Sequence, residues 1–218
     1  MRQLVSTLVL YILETMKRSI LPLIILLAGL FSCQDEEKPM VSTILSDAEI
    51  ETLLFTREEE KLAHDVYIYA YEKYGNILFQ NIANSESQHI QSILTQMNAF
   101  DISDPLNGST IPGEFTLSAI QTLYDNLTSQ VDQSLNDAII AGLWIEDIDI
   151  YDLENAIAET SQSSLATVYG SLQCGSSNHM RAFYGLATQY GVDYSPSYIS
   201  QTLYEDIITS AKTTCQIN

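Results

Sequence analysis

The stretch Phe79-Gln80-Asn81-Ile82-Ala83-Asn84-Ser85-Glu86-Ser87-Gln88-His89-Ile90-Gln91-Ser92-Ile93 decides how the chain is read. From Phe79 through Ile82, Glu86, His89, Ile93 and Met97 to Phe100, the pattern advances in steps of three and four, which is one face of a helix. Apolar residues fill both ends of that stripe, so it belongs against a core. Glu86 and His89 interrupt it in the middle. Residues three apart on a helix are neighbours, so a carboxylate and an imidazole point together into whatever this face covers.

Working outward, three more stripes show the same interruption. Upstream, Leu53, Glu60, Tyr67 and Tyr74 follow one another at steps of seven, with Ala63 and Ala70 between them. Downstream, one stripe reads Leu135, Ile139, Gly142, Glu146, Asp149, Leu153 and Ala156. The next reads Leu165, Val168, Leu172, Ser176, His179, Phe183 and Leu186. Boundary signals fit this division. Ser46 with Glu49 makes a capping box that opens the first long helix, and Gly75 ends it near Tyr74. The second runs from Ile77 to Ala99. A break rich in Asp, Pro and Gly spans Asp101 to Gly113. A shorter helix at Thr116 to Ser129 leads into the third long helix, Gln133 to Glu159. The fourth spans Ser164 to Tyr190 and stops at Gly191, and a last short helix is expected at Tyr198 to Lys212. No segment alternates with period two, so the chain is expected to be all-α. Two helical hairpins joined by one long crossover describe an up-down four-helix bundle of the ferritin-like kind over residues 46–191. Residues 192–218 form a C-terminal extension.

The interruptions fall at one level. Glu60 lies fifteen residues before the turn at Gly75 and Glu86 eleven after it. Glu146 lies about fifteen before the turn near Ser161, and His179 about eighteen after it. At ~1.5 Å of rise per residue, these groups converge on the middle of the bundle. Buried, unpaired carboxylates would each cost several kcal/mol, so the charge of Glu60, Glu86, Glu146 and Asp149 calls for neutralisation. Two divalent cations would supply it. Carboxylates can bridge two metals, while imidazole suits iron and zinc, so iron is expected, with manganese or zinc as alternatives. The expected ligands are Glu60, Glu86, His89, Glu146, Asp149 and His179, with Asp149 either a ligand or an acceptor for a ligating histidine. Glu58 and Glu59 are read as a solvated acidic run and His64 as a partly exposed surface histidine. Tyr67 is read as a packed tyrosine with its hydroxyl on a carboxylate. Trp144 and Arg181 are read as structural, Arg181 with an acid as partner.

The segments R-E-E-E-K-L-A-H-D-V-Y, N-I-A-N-S-E-S-Q-H, W-I-E-D-I-D-I-Y-D-L and G-S-S-N-H-M-R-A-F resemble an uncharacterised bacterial family of ferritin-like proteins, a domain of unknown function. The first is also similar to the opening helix of rubrerythrins and other di-iron carboxylate proteins, with Glu60, then Ala63 and Tyr67. The resemblance covers about Leu45 to Tyr190 and implies the fold and a metal site rather than a reaction. Di-iron proteins of this kind repeat Glu-x-x-His on the fourth helix. Here Ser176 stands three before His179, and Asp149 is the carboxylate available to replace the missing one. Two function classes follow: an oxidoreductase in which two irons react with oxygen or peroxide, and a non-enzymatic metal-binding or envelope interaction protein.

The N-terminal region reads as an address. Lys17-Arg18 precede an apolar run through Phe31 that has secretory-signal form, and Met16 offers an alternative start. Leu30-Phe31-Ser32-Cys33 resembles a lipobox, which implies lipidation at Cys33, a signal over residues 1–33 and a tether over 34–45. The expected localisation is the cell envelope, as an outer-membrane lipoprotein facing periplasm or surface. Net charge is −19 with nine Lys and Arg, which excludes the basic footprint that nucleic acid requires. The expected partners are therefore the membrane through the lipid anchor, metal ions and further copies of the chain as a homo-oligomer. In an oxidising envelope, Cys174 and Cys215 could form a disulfide; two free thiols are the alternative.

Overall fold

A computed structural model describes residues 44–215. The signal segment, Cys33 and nearly all of the tether lie outside them. The described residues form six helices and no strand: α1 (Asp47–Tyr74), α2 (Ile77–Ala99), α3 (Ser118–Val131), α4 (Leu135–Glu159), α5 (Ser163–Tyr190) and α6 (Gln201–Thr209). α1 packs along α2 and α4 along α5. Contacts of α1 with α4 and of α2 with α5 join the two pairs. α3 lies on α1 and α4, and α6 lies on α5.

The helix ends follow local chemistry. The hydroxyl of Ser46 accepts the Glu49 amide, and the Glu49 carboxylate accepts the Ser46 amide in return. Gly75 and Gly191 close α1 and α5 in the left-handed conformation, at φ 65° and 67°, which favours glycine. Three boundaries depart from the sequence expectation. α3 starts at Ser118 rather than Thr116: Leu117 is extended, at φ −81° and ψ 113°, and the Glu58 carboxylate accepts the Thr116 and Leu117 amides ahead of the helix. α4 starts at Leu135, capped by Ser134. α6 is shorter than expected, because the Tyr198 and Ile199 amides bond to Asp147 and Ser200 caps the helix that follows.

Two apolar clusters fill the interior. One includes Leu62, Val66, Phe79, Ile139, Ile145, Met180 and Phe183, and the other Leu53, Ile93, Met97, Leu153, Leu165 and Leu172. Along every long helix the polar positions Glu60, Glu86, His89, Glu146, Asp149, Ser176 and His179 lie between residues of the two. The core is therefore two apolar halves with a polar layer between them.

Candidate metal centre

Each of the four long helices sends polar side chains into this layer. Glu60 comes from α1, Glu86 and His89 from α2, Glu146 and Asp149 from α4, and Ser176 and His179 from α5. All seven are buried. Nδ1 of His89 lies 3.1 Å from Oε2 of Glu60 and 2.7 Å from Oε2 of Glu86. Nδ1 of His179 lies 2.9 Å from Oε1 of Glu86 and 3.5 Å from Oε2 of Glu146. The imidazoles stack with centroids 5.4 Å apart. Two groups of three result, Glu60–Glu86–His89 and Glu86–Glu146–His179. Within each, one ligand atom per residue lies within 4.8 Å of the others, a spacing that could hold a metal ion. Glu86 belongs to both.

The sequence expectation that Glu60, Glu86, His89, Glu146 and His179 converge therefore agrees with their positions. Asp149 shares the layer without joining either group; the Ser176 hydroxyl donates to its Oδ2. The short side chain on α5 is met by a carboxylate reaching across from α4.

Around the layer, neighbouring groups hold the side chains in place. The Tyr67 hydroxyl donates to Glu146 Oε1 at 2.5 Å, as expected for a packed tyrosine on a carboxylate. Nε2 of His179 lies 2.9 Å from the Ser85 hydroxyl. A Cβ at Gly175 would lie 2.7 Å from Cε1 of His89, so this glycine gives the ring its room. Cys174, next to it, is bonded to Cys215 with Cα atoms 5.6 Å apart, which resolves the two alternatives in favour of the disulfide.

The donors fit a cation better than one another. Glu60 Oε1, Glu86 Oε2, Asp149 Oδ1 and His179 Nδ1 are buried and make no hydrogen bond, although several stand within bonding distance. Glu86 Oε2 and His179 Nδ1 still have ion-pair partners in the layer, but Glu60 Oε1 and Asp149 Oδ1 have none, whereas buried polar groups are ordinarily paired. Without metal, the layer is held by charge. Burial disfavours the Glu86 carboxylate, but His179 and His89 outweigh it and keep its pKa well below the ordinary value. Burial likewise opposes a charged His179, yet Glu86 and Glu146 raise it to about 10. Glu60 is pushed up to about 7, chiefly by burial, with His89 opposing and Glu86 adding to the rise. Asp149 rises well above its ordinary value through burial, then through Glu60 and Glu146.

Several expectations need correction. Glu58 and Glu59 are buried rather than solvated, in an unbroken run from Thr56 to Ala63. The crossover and α3 cover what would otherwise be the outer face of α1. Glu58 takes the Thr116 and Leu117 amides, Arg57 pairs with Asp104 at 3.3 Å, and Lys61 donates to Asp65 and to the Ile111 carbonyl. Arg181 donates to Asn178 and Ser210 rather than to an acid. Trp144 meets Tyr198 edge-on at 5.5 Å, a packing role. His64 is partly exposed, as expected, with Nδ1 2.9 Å from Asp65. Asp147, to which the sequence reading gave no role, anchors the C-terminal extension.

The chain is thus an all-helical protein with buried Glu/His groups able to hold a metal ion. It belongs to the family described as an uncharacterized protein domain, DUF2202, whose profile matches residues 49–211. It is 42% identical over 167 residues to the uncharacterized protein MJ0754 of Methanocaldococcus jannaschii, an alignment covering 77% of this chain and 90% of that one. The crystal structure of the hypothetical protein MJ0754 from Methanococcus jannaschii is similar to it at a TM-score of 0.76 and 38% identity. That match covers 85% of this chain and all of the other.

Proposed function

We propose that this chain is a ferritin-like metal protein of the bacterial envelope, anchored by a lipid on Cys33, that holds two divalent cations between its helical hairpins. The observation that carries the reading is the pair of Glu–Glu–His groups sharing Glu86. Glu60, Glu86 and His89 would hold one ion and Glu86, Glu146 and His179 the other. Asp149, which lies in the same layer outside both groups, would be the further carboxylate available where α5 offers only Ser176. Iron fits this mixed carboxylate and imidazole set, with manganese or zinc as alternatives. Bound iron supplies one-electron redox change, so the preferred reading is an oxidoreductase acting on oxygen or peroxide.

The protein's own contribution is placement and exclusion of water. Tyr67 holds the Glu146 carboxylate through one oxygen and leaves the other toward His179. Ser85, on the far nitrogen of His179, fixes that ring so that Nδ1 faces the layer. The two apolar clusters close the layer above and below. The alternative, a non-enzymatic metal-binding or envelope interaction protein, is favoured by Ser176, since a hydroxyl is a poor replacement for a bridging carboxylate.

Metal analysis of the purified protein, followed by peroxide-dependent oxidation of iron(II), tests both. Close to two metals per chain with rapid iron oxidation is the expected result, and Asp149→Ala should lower the count toward one. Stoichiometric binding without oxidation would select the non-enzymatic reading. Cys33→Ser should release the protein from the membrane fraction; unchanged fractionation, with no acyl chain by mass spectrometry, would remove the lipid anchor.

A further inference from the structure

One acid in the interior belongs neither to the candidate centre nor to the hydrogen bonds that fasten the covering segments. Glu59 is 3% exposed, and neither of its carboxylate oxygens meets a hydrogen-bond donor. The group within hydrogen-bonding range is another carboxyl, that of Asp152 on α4. The next charges acting on Glu59 are those of Asp149 and Glu60, both in the central layer. Asp152 itself is only partly buried. Two carboxyls thus face each other, one buried and one partly exposed, with no basic group or amide on the buried one and with Asp149 and Glu60 the next charges beyond it. Tyr198 lies close to this pair and to Asp147, whose carboxylate takes the Ser197, Tyr198 and Ile199 amides. The extension is therefore tied down beside the pair.

We propose that Glu59 and Asp152 form a further cation site, a two-carboxylate station that takes a hydrated divalent ion and passes it to the centre through Asp149 and Glu60. Two carboxylates completed by water are a common way to hold a hard divalent cation whose hydration shell is only partly shed. Such a site is weaker than the centre, because it offers no imidazole. That difference in strength gives the transfer its direction. The delivery role rests on the reading of the centre as a metal site; the station itself does not.

Manganese(II) binding to the full chain, counted by calorimetry and by the loss of the free-ion electron paramagnetic signal, tests it. The parent should bind a third, weaker ion that disappears in Asp152→Asn and in Glu59→Gln. Both variants should still fill the centre, with loading slowed about tenfold or more as the local cation concentration falls. Asp152 is partly exposed, so its variant carries the test if Glu59→Gln fails to fold. Equal ion counts and equal loading rates in parent and variants would overturn the proposal and leave the centre intact. Loss of the third ion with unchanged loading overturns the delivery role. If the parent centre holds no manganese(II), the metal reading of the centre fails. The station then stands if one ion remains and is lost in Asp152→Asn, and falls if none does.

Discussion

Glu58 and Glu60 lie two residues apart on α1, and Asp147 and Asp149 two apart on α4. All four are buried, yet they live in opposite circumstances. Glu58 accepts from the Thr116 and Leu117 amides and the Thr116 hydroxyl. Asp147 accepts from the Tyr194 hydroxyl and the amides of Ser197, Tyr198 and Ile199. Glu60 and Asp149 each keep one oxygen with no hydrogen bond. Two residues advance a helix by a little over half a turn, so one acid of each pair faces the covering segments and the other faces the centre. The outward acids are satisfied by backbone of this chain. The inward ones keep an oxygen that no donor among the described residues satisfies. Burial of a carboxylate therefore does not by itself mark a site; the missing donors do.

The largest effect expected from this contrast is at Glu86. Glu86→Ala should take the metal count from near two to near zero, because both groups lose their shared member. It should also destabilise the metal-free protein by about 3 kcal/mol, because His89 and His179 each lose one of two buried carboxylate partners and keep only Glu60 and Glu146 respectively. Metal analysis and denaturant melts would check both. Metal retained at the parental level would break the idea that the groups are joined through Glu86.

Asp147→Ala is the matching test on the other side. Several charge-assisted hydrogen bonds are lost at once, so about 2–4 kcal/mol of stability should go. The metal count should stay unchanged. A fall in metal content in protein that remains folded would mean that the outward acids are not merely fasteners.

Gly175→Ala probes the inward side more gently. The added methyl would press on the His89 ring, which cannot shift without leaving Glu60 and Glu86. Metal affinity should fall about tenfold to a hundredfold, as for other changes that reorient a ligand. Competition with a chromophoric chelator would measure it.

Smallest in amplitude, the two kinds of acid should respond to pH with opposite sign. Glu60 in the metal-free protein is raised to about 7 from an ordinary value of 4.5. Its contribution is fully present below 4.5 and is lost as pH rises through 7. His179, raised to about 10 because Glu86 and Glu146 overcome burial, loses its contribution as pH rises from 6.5 through 10. Glu49 behaves oppositely. Burial opposes its charge, but the Ser46 and Ser161 amides and nearby hydroxyls hold it at about 2. Its contribution is present above 4.5 and is lost as pH falls toward 2. The metal-free melting temperature should therefore peak near pH 4.5 to 5, and Glu49→Gln should flatten only the acid side. Added metal should move the peak toward neutral pH, since protons compete for the ligands in acid.

The sequence made one face of each helix readable and left the other obscure. Glu60, Glu86, Glu146 and His179 stood out because they break apolar stripes at a common depth, and periodicity reports that depth directly. Ser46, Glu49, Gly75 and Gly191 marked helix ends through chemistry local to a few residues. Glu58, Glu59 and Asp147 did not stand out, because what buries or satisfies them comes from segments without periodicity, up to some fifty or more residues away in the chain. Gly175 carried no signal either, since its role is defined by a ring on another helix.

The turn at Gly75 and Asn76 has a consequence for the order in which the molecule assembles. It joins α1 and α2 almost without a loop, so Glu60 and His89, 29 residues apart, meet as soon as one hairpin closes. Glu60, Glu86 and His89 thus form within local structure, where the entropy of loop closure is small and folding is fast. The other group waits for a distant helix: His179 meets Ser85, beside Glu86, across 94 positions of sequence. One half of the centre should therefore form early and the other late. A nascent hairpin can already offer three donors before the rest of the chain has found its place.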